Sequence, residues 1–178
     1  MSKNDGGIVK ITGGKLRGRK ISTPGGKTHP MGERERLALF NMIGPEIQGI
    51  KVLDAFAGSG ALGIEALSRG ASKVVFVDDS AMAIRVIKEN LTVLGMDGET
   101  IKSKISGLAS NFGSFDLILA DPPYNEFDLS EVKCLGAFAS KDGVLALSHP
   151  GEAPEIGGFT LMKTRQYAAA HLSLYIKD

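Results

Sequence analysis

The sequence predicts an α/β fold with a mostly parallel, seven-stranded β-sheet. From residue 51 onward, short β-prone segments alternate with helix-like segments, which is the pattern of βαβ units. Two of these segments, VVFV at residues 74–77 and LILA at residues 117–120, are continuously apolar, as strands buried on both faces are. After His149 the helical signal ends, and two β-rich runs, FTLMKTRQY and AAAHLSLYIK, predict an antiparallel C-terminal hairpin at one edge of the sheet.

A small basic hairpin and a helix are predicted ahead of this sheet. In IVKITGGKLRGRKIST, residues 8–23, β-prone runs flank glycine turns, as in a hairpin. The PGG at residues 24–26 then breaks the chain, and from Glu33 to Ile43 apolar residues recur at helical spacing. We therefore predict an arm over residues 1–28 and a main domain over residues 29–178, whose leading helix covers about residues 32–44.

Charge is distributed unevenly along the chain, although the net charge is only +1. Residues 1–36 contain nine lysines and arginines against three acids, whereas the other 142 residues contain 12 basic and 17 acidic side chains. A basic head on an acidic body favours a polyanionic partner, because each neutralised phosphate releases counterions. On charge alone, a solvated and partly disordered tail is the alternative.

Composition disfavours several classes of function. The single cysteine, Cys134, excludes an internal disulfide and a thiolate metal cluster, and the three scattered histidines have no carboxylate at ligand spacing, so we expect no metal. No apolar run reaches the ~20 residues that span a bilayer, and the first residues lack the apolar core of a signal peptide. We expect a cytoplasmic monomer without a membrane partner.

Three aspartates close predicted strands, namely Asp54, Asp78 and Asp121. Ligands of an open α/β sheet bind beyond the carboxyl ends of its strands, so these carboxylates are predicted to share one site. Asp54 precedes a glycine fingerprint, GSGALG at residues 58–63, which allows a tight turn and a close approach of backbone to ligand. Asp78 is placed to accept hydrogen bonds from two ribose hydroxyls, which indicates an adenosine-type ligand.

The carboxylate before the glycine fingerprint distinguishes two such ligands. A dinucleotide places its pyrophosphate at the helix N-terminus, where a carboxylate such as Asp54 brings no benefit. S-adenosylmethionine instead has a cationic amino-acid end, which suits a carboxylate. The pattern therefore favours S-adenosylmethionine, and a nicotinamide-dependent oxidoreductase is the alternative in another enzyme class.

The fourth predicted strand ends in DPPY, residues 121–124. Two consecutive prolines fix the backbone of this loop and cannot donate to the sheet. The Asp121 carboxylate and the Pro122 carbonyl can then act as two fixed acceptors for a planar exocyclic amino group. Tyr124 adds an aromatic face on which a base can stack, so the loop predicts a site for the amino group of a nucleobase.

These motifs resemble a known family in their order and spacing. DAFAGSGALG is similar to the S-adenosylmethionine motif of class I methyltransferases, and DPPY is similar to the motif of those that methylate amino nitrogens. Together with ITGGKLRGRK and HPMGERERLALFN, they resemble the RsmD-type methyltransferases from Ile11 to Tyr175. The resemblance implies a Rossmann-like class I methyltransferase fold with S-adenosyl-L-methionine as cofactor. It also implies direct methylation of guanine N2 in bacterial 16S rRNA, of the guanine 966 type, in naked rRNA or a small ribosomal subunit particle.

The resemblance also implies a role for particular residues of this sequence. Catalytic roles are implied for Asp121, Pro122, Pro123 and Tyr124. Contacts with the cofactor are implied for Asp54, Phe56, Ala57, Gly58, Ser59, Gly60, Asp78 and Asp79. Contacts with RNA phosphates are implied for Lys15, Arg17, Arg19, Lys20, Arg34 and Arg36.

Two further alternatives stay open from the sequence. DPPY also serves enzymes that methylate adenine N6 or cytosine N4 in DNA, although this short chain offers no obvious target-recognition domain. A non-catalytic RNA-binding or assembly protein would show RNA affinity without cofactor affinity.

Overall fold

The structure, a computed structural model, describes residues 6–25, 31–167 and 170–178. The strands are β1 (Ile8–Lys10), β2 (Lys20–Ser22), β3 (Lys51–Ala55), β4 (Lys73–Asp78), β5 (Glu99–Lys102), β6 (Phe115–Ala120), β7 (Ala139–His149), β8 (Phe159–Tyr167) and β9 (Ala170–Lys177). The helices are α1 (Glu33–Ile43), α2 (Ala61–Ser68), α3 (Ala81–Leu94) and α4 (Leu129–Cys134). The boundary predicted between residues 28 and 29, and the first two residues of the run AAAHLSLYIK, lie outside the described residues.

Seven strands form one sheet in the order β5-β4-β3-β6-β7-β9-β8. Neighbouring strands are parallel from β5 to β7, whereas β9 runs antiparallel to both β7 and β8. This confirms the predicted mostly parallel sheet with a C-terminal antiparallel hairpin. The chain reverses its direction of strand addition at β3, which lies between β4 and β6, and a crevice opens at such a switch point.

Both faces of the central strands are buried, as their apolar runs predict. One face packs against α1, α2 and α3 through residues such as Phe40, Ile64 and Ile87. The opposite face packs against α4 through Val132. In the described part of the chain, no helix has the length and apolar content needed to cross a bilayer.

The N-terminal hairpin, β1 and β2, packs against the helices of the main domain. Ile11 and Ile21 are buried in the same core as α1, α2 and α3. Ser22 donates its N–H to Asn90 Oδ1 of α3 at 2.9 Å, and Asn90 donates back to the Ser22 carbonyl at 2.8 Å. The predicted hairpin is therefore present and is anchored to the domain by specific contacts.

A buried ion pair joins this hairpin and α1 to α2. Arg36 and Glu65 have fully buried side chains, with Arg36 Nε 3.4 Å from Glu65 Oε2. The Arg36 guanidinium also donates to the carbonyls of Met31 and Lys10. Glu65 accepts further hydrogen bonds from the N–H and the hydroxyl of Thr12, at 2.9 and 2.7 Å. The predicted phosphate contact of Arg36 is therefore corrected, because its donors are used inside the protein and water or RNA cannot reach it.

Gly63 on α2 allows the helix to lie close to the sheet. A Cβ at this position would be 2.3 Å from Phe76 Cε1 and 2.8 Å from Asp54 Oδ2. Glycine to alanine within a helix normally stabilises a protein by about 1 kcal/mol, whereas overpacking a core costs about 1 to 3 kcal/mol. We expect Gly63→Ala to lower the free energy of unfolding in a urea titration. Gly157→Ala is the control, because a Cβ there would meet no atom within 4 Å, and equal stability of the two variants would contradict the close packing.

Candidate active site

The carboxyl ends of β3, β4 and β6 bring the three predicted aspartates to one edge of the sheet. Ala55 of β3 pairs with Val77 of β4 on one side and with Ala120 of β6 on the other. Asp54 directly precedes Ala55, and Asp78 directly follows Val77. Asp121 directly follows Ala120, the last residue of β6. This pairing of β3 with β4 and β6 agrees with the prediction that the three aspartates lie at one edge of the sheet.

The glycine loop between β3 and α2 has an unusual backbone. Gly58 and Gly60 have φ of 55° and 78°, and Phe56 adopts a φ of 59° although it has a side chain. Left-handed backbone at a residue other than glycine is costly and is concentrated at ligand sites. The Ala57 N–H donates to the Val77 carbonyl at 3.0 Å, which ties the loop to the end of β4. The loop therefore keeps its backbone close to the crevice.

Asp54 is buried under this loop and accepts a hydrogen bond from α2. Its side chain is 1% exposed, and Oδ2 accepts the Gly63 N–H at 2.8 Å. Burial raises the pKa of Asp54 well above its ordinary value. The hydrogen bond from Gly63 lowers this pKa, but by less than burial raises it. Because the free N–H groups of a helix start carry partial positive charge, the Asp54 carboxylate holds the N-terminus of α2 in place. Sequence reasoning missed this structural role.

Asp78 ties the loop to the start of α3. Its two oxygens accept the Gly58 N–H at 2.8 Å and the Ser80 N–H at 2.9 Å. Burial raises the pKa of Asp78, while these two hydrogen bonds lower it. A carboxylate has about four acceptor positions, so the half-buried Asp78 retains capacity for hydroxyl donors, and Asp79 beside it is exposed.

The DPPY loop places Asp121 in a network that includes β7. Burial raises the pKa of Asp121 to about 6, and hydrogen bonds from the Ser148 hydroxyl and the Met31 N–H lower it. The Tyr124 hydroxyl is hydrogen-bonded to the same Ser148 hydroxyl. Serine has one O–H donor, so a Ser148 that donates to Asp121 accepts from Tyr124. Tyr124, Ser148 and Asp121 thus form one polar cluster at the ends of β6 and β7.

Ser148 and Met31 are site residues that the sequence interpretation did not include. Ser148 is 1% exposed and lies at the end of β7, next to β6 in the sheet. The sequence offered one sign of Ser148, which is a polar residue at the end of the apolar run VLALS. Met31 acts through its backbone N–H, just before α1, and a backbone contact leaves no signal in the sequence.

The other predicted phosphate contacts are exposed, and most lie away from the DPPY loop. These residues are Lys15, Arg17, Arg19, Lys20 and Arg34. The Lys15 N–H donates to the carbonyl of Ser68, the last residue of α2, at 2.8 Å. Because the eight residues of α2 span about 12 Å, the hairpin tip lies about one helix length from the glycine loop.

Among the described residues, no three histidine, cysteine, aspartate or glutamate side chains cluster so that they could hold a metal ion. The site instead combines a glycine loop with positive φ, half-buried carboxylates and an aromatic hydroxyl. Such a constellation suits an organic cofactor and transfer of a group to an acceptor held by Asp121.

Comparison with known proteins decides the family. Residues 9–176 match the family described as "Conserved hypothetical protein 95". The chain belongs to this family. Ribosomal RNA small subunit methyltransferase D of Haemophilus influenzae is 32% identical over 95% of that protein and 97% of this chain. The same-named protein of Escherichia coli is 37% identical over 65% of its length and 70% of this chain.

A solved structure agrees with the family. The structure of yhhF from Escherichia coli covers 97% of this chain and 99% of its own, with a TM-score of 0.86 and 28% identity. The predicted family and fold are thus confirmed: this chain is a methyltransferase of the RsmD type with the class I fold. The cofactor of that class is S-adenosylmethionine, as the sequence predicts.

Proposed function

We propose that this chain transfers a methyl group from S-adenosylmethionine to the N2 amino group of a guanine in 16S rRNA, of the position-966 type. The observation that carries the proposal is the half-buried Asp121, held by Ser148 and Met31 at the same sheet edge as the glycine loop. The names of the relatives from Haemophilus influenzae and Escherichia coli support rRNA of the small subunit as the substrate.

The cofactor is held by the loops that follow β3 and β4. Residues 56–60 form the wall beside its methionine part, and the Asp78 carboxylate accepts hydrogen bonds from its ribose. Asp54 supports this wall by fixing the N-terminus of α2, and any direct contact with the amino group of the cofactor comes through its remaining acceptor positions. When bound, S-adenosylmethionine supplies an electrophilic methyl group on a sulfonium.

The DPPY loop prepares the amino group of the base for attack. The Asp121 carboxylate and the Pro122 carbonyl accept hydrogen bonds from its two N–H groups. These hydrogen bonds favour a pyramidal nitrogen whose lone pair is free to react. Tyr124 stacks on the base and compensates part of the cost of taking the base out of its stack, about 1 to 3 kcal/mol per stacked base. Asp121 then accepts the proton that leaves the nitrogen. Positioning of the reactants and electrostatic complementarity to the transition state provide most of the rate enhancement.

Methyl transfer is expected to depend on pH through Asp121. The deprotonated carboxylate is the acceptor, so kcat falls as pH falls through about 6, the pKa of Asp121, and is flat above it. Ser148→Ala removes a hydrogen bond that lowers the pKa of Asp121, so the midpoint of the kcat–pH profile moves to higher pH. The measurement is kcat against pH for the wild type, Ser148→Ala and the exposed control Ser110→Ala. An identical midpoint in all three proteins would be inconsistent with the network.

The chemistry is tested by identifying the product. Labelled methyl is transferred from S-adenosylmethionine to small ribosomal subunits that lack the modification, and in parallel to naked 16S rRNA. The RNA is then digested to nucleosides, and N2-methylguanosine is the expected labelled product. Label in N6-methyladenosine or N4-methylcytidine would replace the proposed target, and binding of RNA without methyl transfer would favour an assembly protein.

A further inference from the structure

An open groove of about 330 Å³ separates α1 from β8, the edge strand of the sheet. Its polar lining comes from Arg34 and Asn41 on α1 and from Lys163, Arg165 and Tyr167 on β8. Lys163, Arg165 and Tyr167 alternate along β8, so their side chains lie on the same face of the strand. Two elements distant in sequence thus meet to build one concave surface.

The groove is strongly cationic. Arg34, Lys163 and Arg165 are exposed, and none of the described residues that line the groove is acidic. Within residues 6–25, 31–167 and 170–178, no ion pair includes any of these three side chains. Three uncompensated cations in one concavity concentrate positive potential and attract a polyanion.

Both walls of the groove begin beside Asp121. The Met31 N–H, which donates to Asp121, lies two residues before the start of α1. The other wall ends at Tyr167, the last residue of β8, which pairs with Ala170 of β9. The next residue of β9, His171, pairs with His149 of β7, which directly follows Ser148. The groove therefore leads away from the DPPY loop along α1.

The N-terminal hairpin has a different position. Its tip contacts the C-terminal ends of α2 and α3, where Arg19 Nη2 is 3.5 Å from the Val93 carbonyl. Arg34 instead lies in the first turn of α1, near the Met31 N–H that contacts Asp121. Of these two basic surfaces, the groove is the one that begins nearer to Asp121.

We propose that the groove between α1 and β8 binds the phosphates of the RNA strand that flanks the target nucleotide, with Arg34, Lys163 and Arg165 as the contacts. The proposal rests on the proposed function and adds a binding surface to it. Arginine and lysine neutralise phosphates without reading the bases, so the groove sets the position of the strand, and the DPPY loop selects the amino group. Sequence reasoning missed Lys163 and Arg165 because an isolated β-strand does not indicate what its exposed face meets.

The test replaces Arg34, Lys163 and Arg165 together by glutamine. We expect the Kd for 16S rRNA to rise at least ~10-fold, and the slope of log K against log salt to become shallower by about 2 to 3, because three phosphate contacts are lost. The KM for small ribosomal subunits rises in parallel, whereas kcat and the Kd for S-adenosylmethionine stay within about 2-fold of the wild type.

The control variant replaces Lys51, Lys88 and Lys141, which are also exposed, so the net charge changes equally. Equal RNA affinity and salt slope in the two triple variants would overturn the groove as a phosphate site. Direct RNA binding is measured separately from methyl transfer for this reason. If the wild type binds RNA through the groove but transfers no methyl group, the proposed function fails while the groove proposal stands.

Discussion

Replacing Asp121 by asparagine is expected to lower kcat for methyl transfer by a factor of about 100 to 1,000, the range for loss of one preorganised transition-state contact. Asparagine has nearly the same shape as aspartate but cannot accept the proton from the amino nitrogen, and its amide can turn a donor toward that nitrogen. The Kd for S-adenosylmethionine is expected to be unchanged, because the proposed cofactor site lies in the loops after β3 and β4. Single-turnover transfer and calorimetric cofactor binding measure the two quantities.

Asp97→Asn is the matched control for this substitution, because Asp97 is exposed between α3 and β5. It removes the same charge without contact with the site, so both kcat and cofactor affinity are expected to equal those of the wild type. An Asp121→Asn variant that loses cofactor affinity as much as it loses turnover would contradict the role of Asp121 at the base.

Replacing Glu65 by glutamine is expected to lower the free energy of unfolding by about 3 to 5 kcal/mol, the cost of leaving a buried charge without its partner. The Arg36 side chain is fully buried and would keep its charge, with only neutral acceptors left, namely backbone carbonyls and the glutamine amide oxygen. The same substitution weakens the contact of Glu65 with Thr12, so the hairpin loses an anchor. Urea titration followed by circular dichroism measures the effect.

Glu89→Gln provides the comparison with an exposed ion pair. Glu89 lies 3.8 Å from Arg85 on α3, and more than half of each side chain is exposed. Loss of such a pair costs at most about 1 kcal/mol. Similar destabilisation by the two substitutions would show that Arg36 and Glu65 do not form the buried link between the hairpin, α1 and α2.

The parts of the fold that follow local pattern were predictable from the sequence. The apolar runs VVFV and LILA had to be buried on both faces, which requires helices on both sides of a parallel sheet. Once strands alternate with helices, their carboxyl ends share an edge, so Asp54, Asp78 and Asp121 could be placed in one site. The glycine loop and DPPY then gave the cofactor class.

The rest depended on contacts between residues far apart in the chain. Arg36 looked like an exposed cation of an amphipathic helix, and its partner Glu65 is 29 residues away. A single glutamate in the apolar helix ALGIEALS was the only local sign of a buried pair. The hydrogen bond from the Gly63 N–H to Asp54 was also not predictable, because this contact depends on how closely α2 approaches the sheet.

The most direct test of the account maps the modified nucleotide in cells. An Escherichia coli strain that lacks its own ribosomal RNA small subunit methyltransferase D is given this chain, either as the wild type or as Asp121→Asn. Mass spectrometry of 16S rRNA fragments then locates methyl groups. We predict that the wild type restores one methyl group on N2 of a single guanine and that Asp121→Asn does not. Restoration by both proteins, or a methyl group on another base, would contradict the proposed chemistry at Asp121.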